Sequence, residues 1–197
     1  MTPPVTLALK PFERHSDSGQ QRSALASELT VDMTVFREGP MLSLFYRLIG
    51  NASNVVVPPA AQPPGRRDRL WEHTCFEFFL SEQRVPTKAS PYWEFNLSPT
   101  QDWNVFFLQP YRHRLKQEPA LTDLPIAVQT SSTALRLAVS IDLSHLISPH
   151  QPLRLGGSAV IVLKEEETLR ETFWSITHPA LQPDFHHPDS FAVELMP

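Results

Sequence analysis

An all-β fold, an antiparallel β-sandwich with few short helical turns, is what this sequence predicts, and three observations predict it. Apolar residues recur at alternate positions along much of the chain, the rhythm of strands with one dry face and one wet face. Proline is abundant, 20 among 197 residues against six glycines, and proline interrupts helices and stays out of central strands. No stretch of a dozen positions carries a 3.6-residue apolar period.

The elements follow in order. Residues 5–9 form a short first candidate strand. Leu29, Val31, Met33 and Val35 then face one way, with Thr30, Asp32 and Thr34 between them. The same alternation runs through Leu42, Leu44, Tyr46 and Leu48, and 55–57 is a shorter candidate. Phe76, Phe78 and Leu80 repeat it, as do Trp93, Phe95 and Leu97. Residues 105–108 and 126–129 are short strands, and Leu135, Leu137, Val139 and Ile141 make a longer one. Ala159, Ile161 and Leu163, then 172–176, then Phe191, Val193 and Leu195 complete the series. Helical turns are expected only at 66–72 and at 142–147, the latter with Asp142 as N-cap. The longest irregular stretches, 58–68 and 111–125, are flanked by strands of one character, so a single domain over 1–197 is expected.

Composition narrows the function classes. The net charge is -4 and the cationic residues are scattered, which argues against nucleic acid, whose binding needs a basic face. The single cysteine, Cys75, leaves no internal disulfide. No window approaches the roughly 20 apolar residues that span a bilayer, and the N-terminal residues lack the basic start and apolar stretch of a signal peptide. A cytoplasmic, reduced setting without membrane contact is expected.

Two segments carry candidate chemistry. In the first, Trp71 stands at the mouth of a strand, and Glu77 lies on the face opposite Phe76 and Phe78. A carboxylate on that face can receive sugar hydroxyls while a nearby ring stacks on the sugar's C–H groups. In the second, Phe185 sits in a loop stiffened by Pro183 and Pro188, which lowers the entropy cost of presenting a ring to a ligand.

The pattern Trp71-Glu72-x4-Glu77-x-Phe79, the strand Tyr92-Trp93-Glu94-Phe95-Asn96, and the terminal Trp174-Ser175 with residues 185–191 resemble the DOMON-like and family 9 carbohydrate-binding module superfamily. The resemblance implies an antiparallel sandwich that binds sugars or, in some branches, haem. It implies ligand-binding roles for Trp71 as an aromatic clamp, Phe185 as the facing clamp, and Glu77 and Asn96 as a polar floor. Phe185 stands where those modules usually carry Trp, Asn96 where they carry a floor arginine, and Ser98 near a floor amide.

A non-catalytic domain for a small ligand, a saccharide first, is therefore expected, with no metal and no cofactor, haem or the structural calcium of some family members being the alternatives. Other readings stay open. A haem-binding DOMON-type domain would need an axial Met and His, and Met33, Met41 and Met196 are the methionines on offer. A protein-interaction module would use the aromatic patch. A glycoside-active enzyme would draw a carboxylate pair from Glu72, Glu77 and Glu94, yet no nucleophile elbow, phosphate loop or zinc motif is present. Asp184, His186, His187 and Asp189 are spaced like metal ligands, but such a loop more often satisfies its own backbone. Trp93 and Trp103 read as core, and Trp174 as a second site candidate.

Overall fold

A computed structural model describes residues 3–13, 24–113 and 115–197. Alternation of apolar and polar residues becomes alternation of burial: along β2 (Thr30–Glu38) and β3 (Met41–Ile49) every second side chain is buried. With β1 (Val5–Pro11), β8 (Ile126–Thr130) and β9 (Ala134–Asp142) these strands form one antiparallel sheet in the order β1-β2-β3-β9-β8. A second sheet, β7-β6-β5-β4-β10-β11, contains β4 (Cys75–Ser81), β5 (Tyr92–Leu97), β6 (Trp103–Leu108), β7 (Lys116–Gln117), β10 (Leu153–Glu165) and β11 (Thr168–Ser175). β12 (Val193–Leu195) pairs with the start of β10.

β1 belongs to both sheets. Residues Val5 to Leu9 pair with β2, and Lys10 and Pro11 pair with β11. The strand turns the corner of the sandwich, as strands that switch sheets do in packed β layers. Between the layers lies one apolar cluster, with Met33, Leu44 and Leu137 from one sheet and Phe76, Phe78 and Phe95 from the other. Phe78 and Phe95 stack at 4.2 Å between centroids. The Tyr46 hydroxyl crosses the core and donates to the Glu77 carbonyl at 2.7 Å.

The differences from the sequence reading have physical causes. Residues 55–57 give only an isolated bridge from Val55 to Leu163. Residues 142–147 make a hydrogen-bonded turn in which the Asp142 carboxylate accepts from the Ser144 amide at 2.9 Å, without becoming a helix. A one-turn helix α1 (Ala24–Ser27), too short to show periodicity, precedes β2. β4 is buried at every position, not on one face. Its sequence explains this: Phe79 is apolar on the face that also carries Glu77, so that face needs a cover of its own.

Candidate functional site

The cover creates the site. On the outer face of the second sheet, β4 presents Glu77 and Phe79, β5 presents Tyr92, Glu94 and Asn96, and β6 presents Asn104, Phe106 and Leu108. Read across the strands, Ser175, Ser158, Glu77, Asn96 and Asn104 stand opposite one another in one row over β11, β10, β4, β5 and β6. All five are buried. Above them Phe79, Tyr92, Phe106, Leu108 and Phe191 form a second, smaller apolar cluster, with Trp71 and Phe185 packed against it.

The cover leaves a cavity of about 480 Å³, within the roughly 300–1,000 Å³ usual for small-molecule sites. Trp71 enters it from the 3-10 turn Leu70–Glu72, and Arg112 from the loop after β6. Phe173 enters from β11, and Pro183, Phe185 and His186 from the loop between β11 and β12. Glu77 and Glu94 form the acidic floor. Trp71 meets Phe106 edge-on at 5.8 Å, and Phe185 tilts against Phe173 at 6.3 Å. Both rings are thus braced by neighbours while remaining part of the wall.

The two carboxylates are diagonal neighbours, since Glu77 faces Asn96 and Glu94 faces Phe79 across the β4–β5 ladder; such positions lie about 7–8 Å apart. Glu94 Oε1 accepts from Asn96 Nδ2 at 2.8 Å, and its Oε2 lies 4.0 Å from His186 Nε2. Glu77 is 4% exposed, yet its Oε1 has no hydrogen-bond partner among the described residues, and neither has Ser158 Oγ on the neighbouring strand. A buried acceptor left unpaired costs roughly 1–3 kcal/mol, and natural structures keep few of them.

The surrounding polar groups are fixed by their own bonds. The Tyr92 oxygen accepts from the Arg112 amide at 3.1 Å and lies 2.8 Å from His186 Nδ1. Arg112, with φ at 52°, sends Nη2 to Asp184 Oδ1 at 3.1 Å, and the Tyr111 hydroxyl donates to the other Asp184 oxygen. Asp184 therefore ties the two wall loops together and answers the Arg112 charge.

Burial governs the protonation states. It pushes Glu77 well above the ordinary carboxylate range, with the Glu94 charge adding to the effect. Burial also raises Glu94 to about 7, although the Asn96 hydrogen bond and the Arg112 charge pull the other way. His186 falls to about 4, chiefly through burial and then through Arg112. Near neutrality the floor holds a mixture of carboxyl and carboxylate beside a neutral imidazole. The arrangement can accept hydrogen bonds from a ligand at its base and stack rings against its flanks.

The structure brings three of the sequence candidates together: Trp71, Glu77 and Phe185 line the one cavity. Asn96 lies beneath it, fully buried behind Glu94, and orients that carboxylate instead of facing the space. Ser98 is buried and bonds Thr100 Oγ1 at 2.8 Å. Trp174, a second site candidate from sequence, is 2% exposed and belongs to the core, a correction the register makes plain because it faces Ala159 and not the outer row. In the 184–189 loop the side chains take separate partners, His187 Nδ1 accepting from the Asp189 amide at 3.2 Å. Among the described residues, no three His, Cys, Asp or Glu side chains gather as metal ligands would.

Glu94, Arg112, His186 and Phe173 belong to the site and were not assigned to it from sequence. Glu94 carried a readable signal, two residues before Asn96 on the same strand face. Arg112 and His186 carried none, because loops place them.

No protein-family model and no curated protein matches the sequence. Structures of a family 9 carbohydrate-binding module from Caldicellulosiruptor kristjanssonii, in complex with glucose and with cellotriose, superpose with TM-scores of 0.48 and 0.42 at 12% and 9% identity. Those alignments cover 96% and 85% of this chain and 83% and 72% of theirs, and at such scores they add nothing further. A Bacteroides uniformis protein provisionally named carbohydrate-binding aligns over 94% of this chain and 83% of its own, at 16% identity and a TM-score of 0.62, and it is with that protein that this chain shares its antiparallel sandwich fold.

Proposed function

We propose that the chain binds a small polyhydroxylated ligand, a mono- or oligosaccharide, in the cavity between Trp71 and Phe185, and releases it unchanged. The observation that carries the reading is Glu77, a buried carboxyl with an unpaired Oε1, in the lining of a cavity walled by aromatic rings. Hydroxyl groups satisfy such an acceptor, and the C–H faces of a sugar ring suit Trp71 and Phe185. The fold likeness to a protein named as carbohydrate-binding points the same way.

The experiment is a fluorescence titration with a panel of mono- and disaccharides. Trp93, Trp103 and Trp174 are buried, so a ligand-dependent emission change reports mainly Trp71. Saturable change is expected for at least one saccharide. Trp71→Ala should weaken its binding by about tenfold or more, the worth of one aromatic contact. A flat response across the panel, checked by calorimetry, would reject the proposal. Turnover of a chromogenic glycoside that is lost in Glu77→Gln would replace it with an enzymatic reading.

A further inference from the structure

The floor of the cavity is more acidic than a neutral ligand requires. Glu77 and Glu94 are both more than nine-tenths buried, and both line the space. The cation nearest in the lining, Arg112, is already paired with Asp184 at 3.1 Å. His186, 4.0 Å from Glu94 Oε2, does not answer the charge, because burial disfavours its protonated form. Asn96 supplies one donor to Glu94 and none to Glu77. Two buried carboxylates thus share one amide donor, one distant imidazole and no unspent positive charge among the described residues.

Buried charges in folded proteins are paired or neutralised; a proton serves in the empty cavity, and a ligand cation can take its place. The walls show which kind of group suits. Trp71, Phe173 and Phe185 line the same space, and aromatic rings attract organic cations as well as C–H groups. Resting on the saccharide reading above, we infer that the preferred ligand carries a protonated amine at its buried end, as an amino sugar does, seated against Glu77 and Glu94 beneath the aromatic wall. An ammonium has three donors. The Glu77 carboxyl, whose Oε1 is unpaired, accepts one of them, and the Glu94 carboxyl accepts a second. The Glu77 and Glu94 pair, raised by burial, then gives up its proton to solution as the cation enters.

The test compares matched ligands by calorimetry at pH 7: glucosamine with N-acetylglucosamine, where acetylation removes the charge, and cyclohexylamine with cyclohexanol, where no sugar is present. The charged member of each pair should bind at least about tenfold tighter, as a charge-assisted hydrogen bond in a buried site permits. Its heat should vary with the ionisation enthalpy of the buffer, reporting proton release. Glu77→Gln should bring the affinity ratio within each pair to about one, a readout independent of its effect on either affinity alone. Equal or weaker binding of both amines while the neutral sugars bind overturns the inference and leaves saccharide binding standing. Binding of cyclohexylamine with no saccharide bound upholds the cation site and overturns the saccharide reading. No binding by any of the four overturns both.

Discussion

A carboxyl buried away from water gives up its proton reluctantly, and the cavity floor holds two. Unfolded, Glu77 and Glu94 titrate near the ordinary 4.5; folded, Glu94 titrates near 7 and Glu77 is also raised. Between those values the folded chain holds protons that the unfolded chain has released, so stability falls as pH rises. The Glu94 interval alone is worth on the order of 3 kcal/mol. His186 acts in the opposite sense, because its folded value near 4 lies below the ordinary 6.5, and its contribution is lost as pH falls through that window. The other titratable groups around the pair, Tyr92, Cys75 and Tyr46, are held above their ordinary values by burial and stay neutral here. Below about pH 6.5 the acids and the histidine offset one another; above it only the acids act. Urea denaturation at pH 6 and pH 8 should therefore show the protein weaker at pH 8 by on the order of 2 kcal/mol. Glu77→Gln should reduce that difference to the part that Glu94 contributes, and stabilise the protein at pH 8. A wild-type stability that is level or rises between the two would contradict the account. Glu77 itself was legible from sequence, as a charge on the second face of an aromatic strand. Its unpaired state was not, since that depends on Phe191 and the 183–186 loop closing over it from more than a hundred residues away.

At the scale of elements, the cover sits close because β10 carries two glycines where its neighbours need room. A methyl group at Gly156 would stand 2.9 Å from the Ser190 carbonyl oxygen, a backbone atom in the 3-10 turn Pro188–Ser190. At Gly157 it would meet the end of the Met33 side chain at 2.7 Å. Methionine bends out of the way at small cost; a backbone carbonyl does not. Gly156→Ala is expected to lower stability by about 1–3 kcal/mol, as overpacking does, and to weaken ligand binding by lifting the loop that carries Phe185. Gly157→Ala should cost less and leave binding unchanged. Thermal melts and the tryptophan titration on both variants decide it, and a larger loss in Gly157→Ala would show the cover is held otherwise. Period-two alternation made β2, β3 and β9 legible because each buries one face only. It underread β10, Leu153–Glu165, whose burial on both sides hides any alternation. The 142–147 turn was misjudged because an Asp that caps a helix also closes a turn by the same hydrogen bond.

Over the whole molecule, the connectivity joins distant parts of the chain into one cooperative object. β1 hydrogen-bonds to β2 and to β11, so the first described strand ties one sheet to the end of the other. β10 pairs with β4 on one side and with β11 and β12 on the other. A single apolar cluster draws side chains from both sheets, including Trp93, Trp103 and Trp174. Neither sheet can keep its inner face dry without the other, so unfolding one exposes the core of both. Urea unfolding followed by tryptophan emission, which reports the second sheet, and by near-UV signals of Tyr46, which lies in the first, should give coincident transitions with one midpoint, the mark of a two-state domain. Folding should be slow, on the scale of milliseconds to seconds, since pairings such as Lys10 with Ser175 must close very long loops before they stabilise anything. Two separated transitions would mean that the sheets stand independently. In that case the cavity, built entirely on the second sheet and its loops, should keep its ligand after the first sheet has melted; a bound saccharide or amine would then raise only the later midpoint, whereas in a single cooperative domain it raises the one midpoint seen by both probes.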